Sequence, residues 1–381
     1  MINICKKCVA VDTRPGLKLD NEQICFPCRV IENKIDWSSR RKELNELVLQ
    51  LKNTQSPSGY DCIVSVSGGK DSTRQSIIVR DELKLKPLLV CCAGPPELQT
   101  EVGVDNITNL IKLGFDCVSV TPSPKKYKTL MKNSLIMYGN HGHTCEMALY
   151  STAPRIATNY KIRTIFLGEN NALTYGDVGG SLDSDANRIK YNNTLSGGIP
   201  TEYMEPWMNK SDVLWHYFPS DKDIKRGNLS IVYLGYYFHD FNNFKNMEVS
   251  VSRGLKLKPN TNPHETGSYY NNDSLDDDHV HVNQLLKYLK FGFAKVTDEM
   301  GEAIRLGLIS RDKAMTLVEK YDGRCSFEYI KNYIKYLEMT IEEFWDVARK
   351  FINTDIWTPN GKDRWILQHP LYNREFKIYY E

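Results

Sequence analysis

Residues Asp61 to Thr73 read DCIVSVSGGKDST and hold the densest chemistry in the chain. Two glycines, Gly68 and Gly69, separate a β-branched apolar run from a helix-forming stretch that begins near Arg74. Hydroxyls stand at Ser67, Ser72 and Thr73, an acid at Asp71 and a cation at Lys70. A strand that feeds a glycine turn and then a helix N-terminus presents free backbone N–H groups and a positive helix end to one point, which is a seat for an oxyanion. The pattern is S-G-G-x-D-S; the Walker A pattern G-x-x-x-x-G-K-[ST] cannot be written over it. An ordinary strand–turn–helix with a tight glycine corner is the competing reading.

Four cysteines form a second constellation. Cys5-x-x-Cys8 and Cys25-x-x-Cys28 have the spacing of a zinc ribbon, in which each C-x-x-C turns two thiolates toward one ion. Structural zinc is expected, with an iron–sulfur centre or free buried thiols as alternatives, and a stapling role rather than a catalytic one. Glu169 follows directly on an apolar run, in Gly168-Glu169-Asn170. A carboxylate there costs desolvation unless magnesium, a substrate hydroxyl or an Arg pairs with it, and an exposed turn is the alternative. His141, His143 and Cys145 in GNHGHTCEM are weak metal-ligand candidates and read better as a pocket wall. The acid run Asp276-Asp277-Asp278 reads as a solvated face, with magnesium binding the less favoured use.

These residues need a frame. From Tyr60 onward strands and helices alternate, which predicts an α/β fold with a doubly wound, mostly parallel sheet. The expected strands are 62–67, 87–92, 117–120 and 164–167, with 231–238 a plausible fifth; helices are expected over 74–83, 105–113, 125–138 and 147–160. In such a sheet ligands sit beyond the carboxyl ends of the strands, where the loops after 67, 92 and 167 open. An amphipathic helix is expected over 35–52 and an aromatic one over 207–218. The polar stretch 171–209 reads as a lid or a disordered segment. The last hundred residues read as helices, with Thr297 and Ser310 as caps, Gly307 and Gly323 as stops, and a Thr340–Glu343 capping box. Three units are expected: a zinc-binding four-cysteine module at 1–40, a nucleotide domain at 41–258 and a helical region at 259–381.

The 381 residues suffice for two or three units, and 41% hydrophobic with 25% charged content is ordinary for a globular protein. Lys and Arg total 49 against 47 acids, a net charge of +2, which argues against broad attraction to nucleic acid or anionic membrane. No apolar run reaches the roughly 20 residues that span a bilayer, and no signal-peptide pattern opens the chain. The expected compartment is the cytoplasm, with the ten cysteines reduced or metal-bound.

The S-G-G-x-D-S loop resembles the pyrophosphate loop of the PP-loop ATP pyrophosphatases. Within that superfamily the chain is similar to the N-acetyl sugar amidotransferases of bacterial O-antigen, flagellin and nonulosonic acid synthesis. The likeness rests on CKKCVAVDTRPGLKLD with its second Cys pair, VSVSGGKDST, FLGEN and KYLKFGFAKVTDEMGEAIRLGLISRDKAMTLVEKYDG. The chain departs at Ala294-Lys295, where the family more often shows Gly-Arg, and at His143-Thr144-Cys145.

The resemblance implies a PP-loop (HUP-like) fold and a reaction: ATP adenylates an acetamido carbonyl, ammonia displaces AMP, and an acetamidino group results. ATP, Mg2+ and a structural Zn2+ are the implied cofactors. Ser65, Ser67, Gly68, Gly69, Lys70, Asp71, Ser72, Thr73, Gly168 and Asn170 would bind the nucleotide. Asp71 would link to magnesium, Lys295 would neutralise charge on the phosphate with Asp298 orienting it, and Glu169 completes the catalytic set. Residue two is Ile2 and no cysteine sits in a G-x-C-x-G elbow, so a separate glutaminase subunit is the expected source of ammonia. The substrate would be an acetamido sugar, possibly nucleotide-linked, and homo-oligomerisation is possible. Two readings compete: a tRNA-modifying PP-loop enzyme of the thiolase or lysidine synthetase kind, and a non-catalytic zinc-ribbon scaffold.

Overall fold

Five short apolar runs pair side by side: β1 (Cys62–Val66), β2 (Pro87–Cys92), β3 (Cys117–Val120), β4 (Thr164–Leu167) and β5 (Ser230–Tyr233). The computed structural model describes residues 2–32, 35–54, 56–176, 182–190, 207–259 and 261–381. The strands lie in the order 3-2-1-4-5 and every pair is parallel. β1 and β2 are covered on both faces, which explains their near-continuous hydrophobic sequences. Strand order reverses between β1 and β4, so the loops that follow these two strands open into one crevice.

Helices wrap the sheet and extend beyond it. In chain order they are α1 (Phe26–Glu32), α2 (Trp37–Asn53), α3 (Lys70–Ile77), α4 (Glu101–Lys112), α5 (Pro124–Tyr138), α6 (Gly142–Tyr160), α7 (Asn171–Tyr175), α8 (Asp221–Gly227), α9 (Asn243–Ser252), α10 (Pro263–Thr266), α11 (Val280–Phe291), α12 (Lys295–Arg305), α13 (Arg311–Tyr321), α14 (Phe327–Leu337) and α15 (Ile341–Arg349). α3 starts at Lys70 rather than at Arg74, because Gly69 takes the N-cap position and Lys70 to Thr73 form the first turn. A π-helical turn, Ile78–Glu82, completes it. One core packs α2, α4, the π-helical turn and one sheet face; a second packs α6 on the opposite face; a third, the largest, joins α11, α14 and α15 to the C-terminal strands.

Several expectations need correction. Residues 207–218 form two 3-10 turns, Lys210–Asp212 and Leu214–His216, and no continuous helix. The fifth strand stops at Tyr233, because the backbone turns to let the Gly235 N–H donate to the Gly168 carbonyl at 3.0 Å. Thr297 does not cap α12. It lies in that helix's first turn, and Asp322 from the end of α13 accepts from the Ala294 and Thr297 N–H groups instead. After α15 the helical region ends in an antiparallel sheet of β6 (Trp357–Pro359), β7 (Arg364–Gln368) and β8 (Asn373–Lys377), which was not anticipated. The Thr340–Glu343 capping box is present with both bonds made. Much of the expected lid, residues 177–181 and 191–206, lies outside the described residues.

Candidate active site at the switch point of the sheet

The crevice beyond β1 and β4 is a cavity of about 350 Å³, roofed by α11 and α12. The β1–α3 turn delivers Lys70 and Asp71 to it, and the end of β4 delivers Glu169. α12 adds Lys295, Asp298 and Glu302; the 270s segment adds Asp273; and the cysteine module adds Arg14.

Lys70 is almost wholly buried and is held by two carboxylates: Asp71 Oδ2 at 2.9 Å and Asp273 Oδ1 at 2.5 Å. The other oxygen of Asp273 pairs with Lys295, so one acid bridges two cations from opposite walls. Burial alone would pull both amines down and push the acid up. The mutual attraction outweighs it, holding Lys70 and Lys295 above their usual range and Asp273 below. Asp71 accepts a second bond from Asn246 Nδ2 at 2.7 Å, and Asn246 in turn accepts from Arg74 at 2.8 Å. The Ser250 hydroxyl donates to the Lys70 carbonyl at 2.6 Å, pinning the first turn of α3 to α9.

Glu169 opens into the cavity, yet the enclosing walls, with Asp71 adding repulsion, push its carboxyl up to about 7. Asp298 does not orient Lys295: it pairs with Arg14 and accepts from Lys287 at 2.8 Å, while Lys295 takes Asp273. Arg14 lies against the ring of Phe293, 4.6 Å from its centroid. Asn170 is committed to the fold, since its side chain accepts from Ala172 N–H as the cap of α7. Gly168 packs against Phe241 and Gln75, and Ser65 lies within β1 opposite Val90. Ser67, Gly68, Gly69, Ser72 and Thr73 form the turn beneath Lys70 and are not on the cavity wall. Gly68 has φ of 81°, and a Cβ there would press on the Gly103 carbonyl, so this corner accepts only glycine. The Thr73 hydroxyl is buried without a partner just behind the turn.

The acid run at 276–278 is not simply solvated. Its backbone packs on Gly103 at the start of α4, Thr100 N–H donates to the Asp276 carbonyl, and Asp278 pairs with Lys258 at 2.6 Å. His143 lines the cavity, whereas His141 is buried against Tyr333.

The sulfurs of Cys5, Cys8, Cys25 and Cys28 lie within 4.8 Å of one another and are buried. Among the described residues this is the one group of three or more potential ligands gathered closely enough for a metal ion. Backbone N–H groups of Lys7, Ala10 and Cys25 point at the sulfurs at 3.3 to 3.4 Å, the environment a thiolate needs. Four thiolates at this spacing suit a closed tetrahedral site. Asp71 and Glu169 both line the cavity, together with Glu146, Asp273, Asp298 and Glu302.

Sequence reasoning missed Asp273, Asn246, Arg14 and Glu302. Asp273 sits three residues before the acid run that drew attention, and nothing local distinguishes it.

Residues 241–371 match the family model described as the C-terminal domain of WbpG-like LPS biosynthesis proteins. The chain carries a WbpG-like C-terminal domain. That match supports the resemblance to proteins of surface-polysaccharide synthesis. Asn246, Asp273, Lys287, Lys295, Asp298 and Glu302 all belong to the WbpG-like domain, so it builds one wall of the cavity while the parallel sheet builds the other.

An uncharacterised protein of Methanocaldococcus jannaschii is 26% identical over 110 residues, 28% of this chain and 38% of the relative. The match thus spans well under half of that relative's length. Two solved structures are similar over part of the chain. The NH3-dependent NAD synthetase of Campylobacter jejuni, in complex with nitrate, is 13% identical with a TM-score of 0.28, covering 59% of this chain and 99% of its own. The NMN synthetase of Francisella tularensis is 15% identical with a TM-score of 0.27, covering 60% and 100%. Likeness at that level carries no weight for function. No helix among the described residues is long and apolar enough to cross a membrane.

Proposed function

We propose that this chain is an ATP-dependent amidotransferase that converts the N-acetyl group of a bacterial surface sugar to an acetamidino group. Amide resonance makes an acetamido carbon a poor electrophile. Transfer of AMP from ATP to the carbonyl oxygen expels pyrophosphate and turns that oxygen into a good leaving group. Ammonia then adds at the carbon, a proton is lost, and AMP departs with the oxygen.

The observation that carries this reading is the bridge from the S-G-G-K-D-S-T turn to a WbpG-like domain, made by Asp273 between Lys70 and Lys295. It supports a site in which two cations, Lys70 and Lys295, hold a polyphosphate while a sugar enters under α11. Positioned charges of this kind contribute roughly a few kcal/mol each where negative charge develops. Asp71 and Glu169 would share a magnesium ion arriving with ATP, and a zinc ion would staple the four cysteines. A separate glutaminase subunit would supply the ammonia.

Mass spectrometry of acetamido sugars incubated with ATP, magnesium and ammonium tests the reaction, since exchange of oxygen for NH lowers the mass by about one unit. Ammonium should serve the isolated chain and glutamine should not. Efficient use of glutamine by the chain alone would remove the partner from the scheme.

A further inference from the structure

A second cavity, of about 370 Å³, lies between the start of α2, α3 with its π-helical turn, and the segment after β5. Among the described residues it shares no lining side chain with the cavity at the switch point. Small-molecule sites occupy roughly 300–1,000 Å³, so it is large enough for a compact ligand. Trp37, Tyr237, Phe238 and His239 bring rings to it. Trp37 is 36% exposed, and His239 meets it edge-on with 6.0 Å between centroids. The Tyr237 hydroxyl donates to Glu43 at 2.6 Å, which leaves only its ring for a ligand. Of the cations, Arg74 is buried and committed: it pairs with Asp240 Oδ1 at 2.7 Å and donates to Asn246 Oδ1 at 2.8 Å. Arg41 is exposed and makes no hydrogen bond or ion pair among the described residues; its guanidinium lies 5.5 Å from the Phe238 centroid. Glu82 is likewise exposed and unpaired among them, and the Asp240 side chain stays 34% exposed beside Arg74.

Each of these groups selects a different part of a ligand. Uncovered aromatic faces suit a flat ring, and an Arg beside them suits an anion attached to that ring. Carboxylates with open oxygens suit hydroxyl donors, as when an Asp or Glu binds a ribose diol. A nucleoside monophosphate carries all three parts. We infer that this cavity is a second nucleotide site, for a nucleoside monophosphate, separate from the cavity at the switch point. The base stacks among Trp37, Phe238 and His239, the phosphate pairs with Arg41, and the ribose hydroxyls donate to Asp240 and Glu82. Inorganic phosphate or a sugar phosphate leaves the rings uncovered, and a neutral nucleoside leaves Arg41 unmet. The same two carboxylates repel the extra charge of a triphosphate, so the site favours the monophosphate. Nothing in this inference depends on the amidotransferase reading.

Calorimetric titration of the full chain with AMP and with UMP tests the site, using uridine and ribose 5-phosphate as the two fragments. Magnesium and excess α,β-methylene-ATP, which does not cleave between its α and β phosphorus atoms, are present throughout to occupy the other cavity. At least one monophosphate should bind tenfold or more tighter than either fragment. Arg41→Ala and Trp37→Ala should each weaken that binding at least tenfold, and Arg41→Lys should keep part of it. Melting curves check that the variants fold; should Trp37→Ala fail to, the exposed Arg41 decides alone. No binding of either monophosphate, a fragment that binds as tightly as the whole, or undiminished binding by Arg41→Ala would each overturn the site. The amidotransferase reading stands or falls separately, on sugar-dependent release of AMP.

Discussion

Lys70 and Asp273, 203 residues apart in sequence, meet at 2.5 Å and fasten the glycine turn to the WbpG-like domain. The turn and the roof over it are therefore one electrostatic unit. Asp273 is shared with Lys295, so removing the acid leaves two cations in a crevice with one carboxylate, Asp71, close to Lys70.

Asp273→Asn should destabilise the protein by about 3 kcal/mol, the usual cost of stripping one partner from a buried pair. Denaturant unfolding checks it. The folded carboxyl lies below its usual range, so its contribution is full above about pH 4 and is lost only as pH falls through the lowered value. The difference between wild type and variant should thus be constant from about pH 5 to about pH 8. Lys295→Met should cost less stability than Asp273→Asn, because Asp273 keeps Lys70.

Glu299 behaves in the opposite sense. It is buried in α12, accepts from Ser268 Oγ at 2.5 Å and Tyr269 N–H at 2.7 Å, and burial raises it to about 7. A raised acid binds more protons folded than unfolded between about pH 4.5 and 7, so stability falls as pH rises through that window, by at most about 1.4 kcal/mol per pH unit for one group. Glu299→Gln should flatten that fall in a series of melts at fixed ionic strength. Glu169 and Asp277, also raised to about 7, should leave a residual slope.

Removal of metal should affect the active site as well as the four-cysteine module. Arg14 lies between the two cysteine pairs and reaches Asp298 in the cavity, and Arg311 donates to the Cys5 and Cys8 carbonyls from α13. Elemental analysis should find one zinc per chain. Cys25→Ser should reduce that content, lower the melting temperature and weaken sugar binding. A variant that lost its metal but melted and bound sugar like wild type would show that the module is only an appendage.

The sheet was legible because each strand is a short apolar run bounded by turn residues, and the limits of β2, β3 and β4 follow from their sequences alone. Gly307 and Gly323 were readable as helix stops for a local reason: their φ values are 72° and 67°, which glycine adopts freely. The small C-terminal sheet was not legible, since β7 and β8 alternate around Trp365 and Phe376 among charged residues and follow a run of helices. The cavity was half legible. Asp71 and Glu169 sit at strand ends where topology puts ligands, whereas Asp273, Asn246 and Arg14 reach the cavity only through long-range packing. Lys295 could be placed near the site but not paired, because its acid comes from the irregular 270s segment and not from its own helix.

The proposed reaction splits ATP between its α and β phosphorus atoms in the cavity beside Lys70. Nucleotide products should be quantified for the purified chain with ATP, magnesium, ammonium and an acetamido sugar. AMP and pyrophosphate should appear in equal amounts, dependent on the sugar and reduced at least a hundredfold in Asp71→Asn. Release of ADP and orthophosphate, or undiminished turnover by that variant, would contradict it.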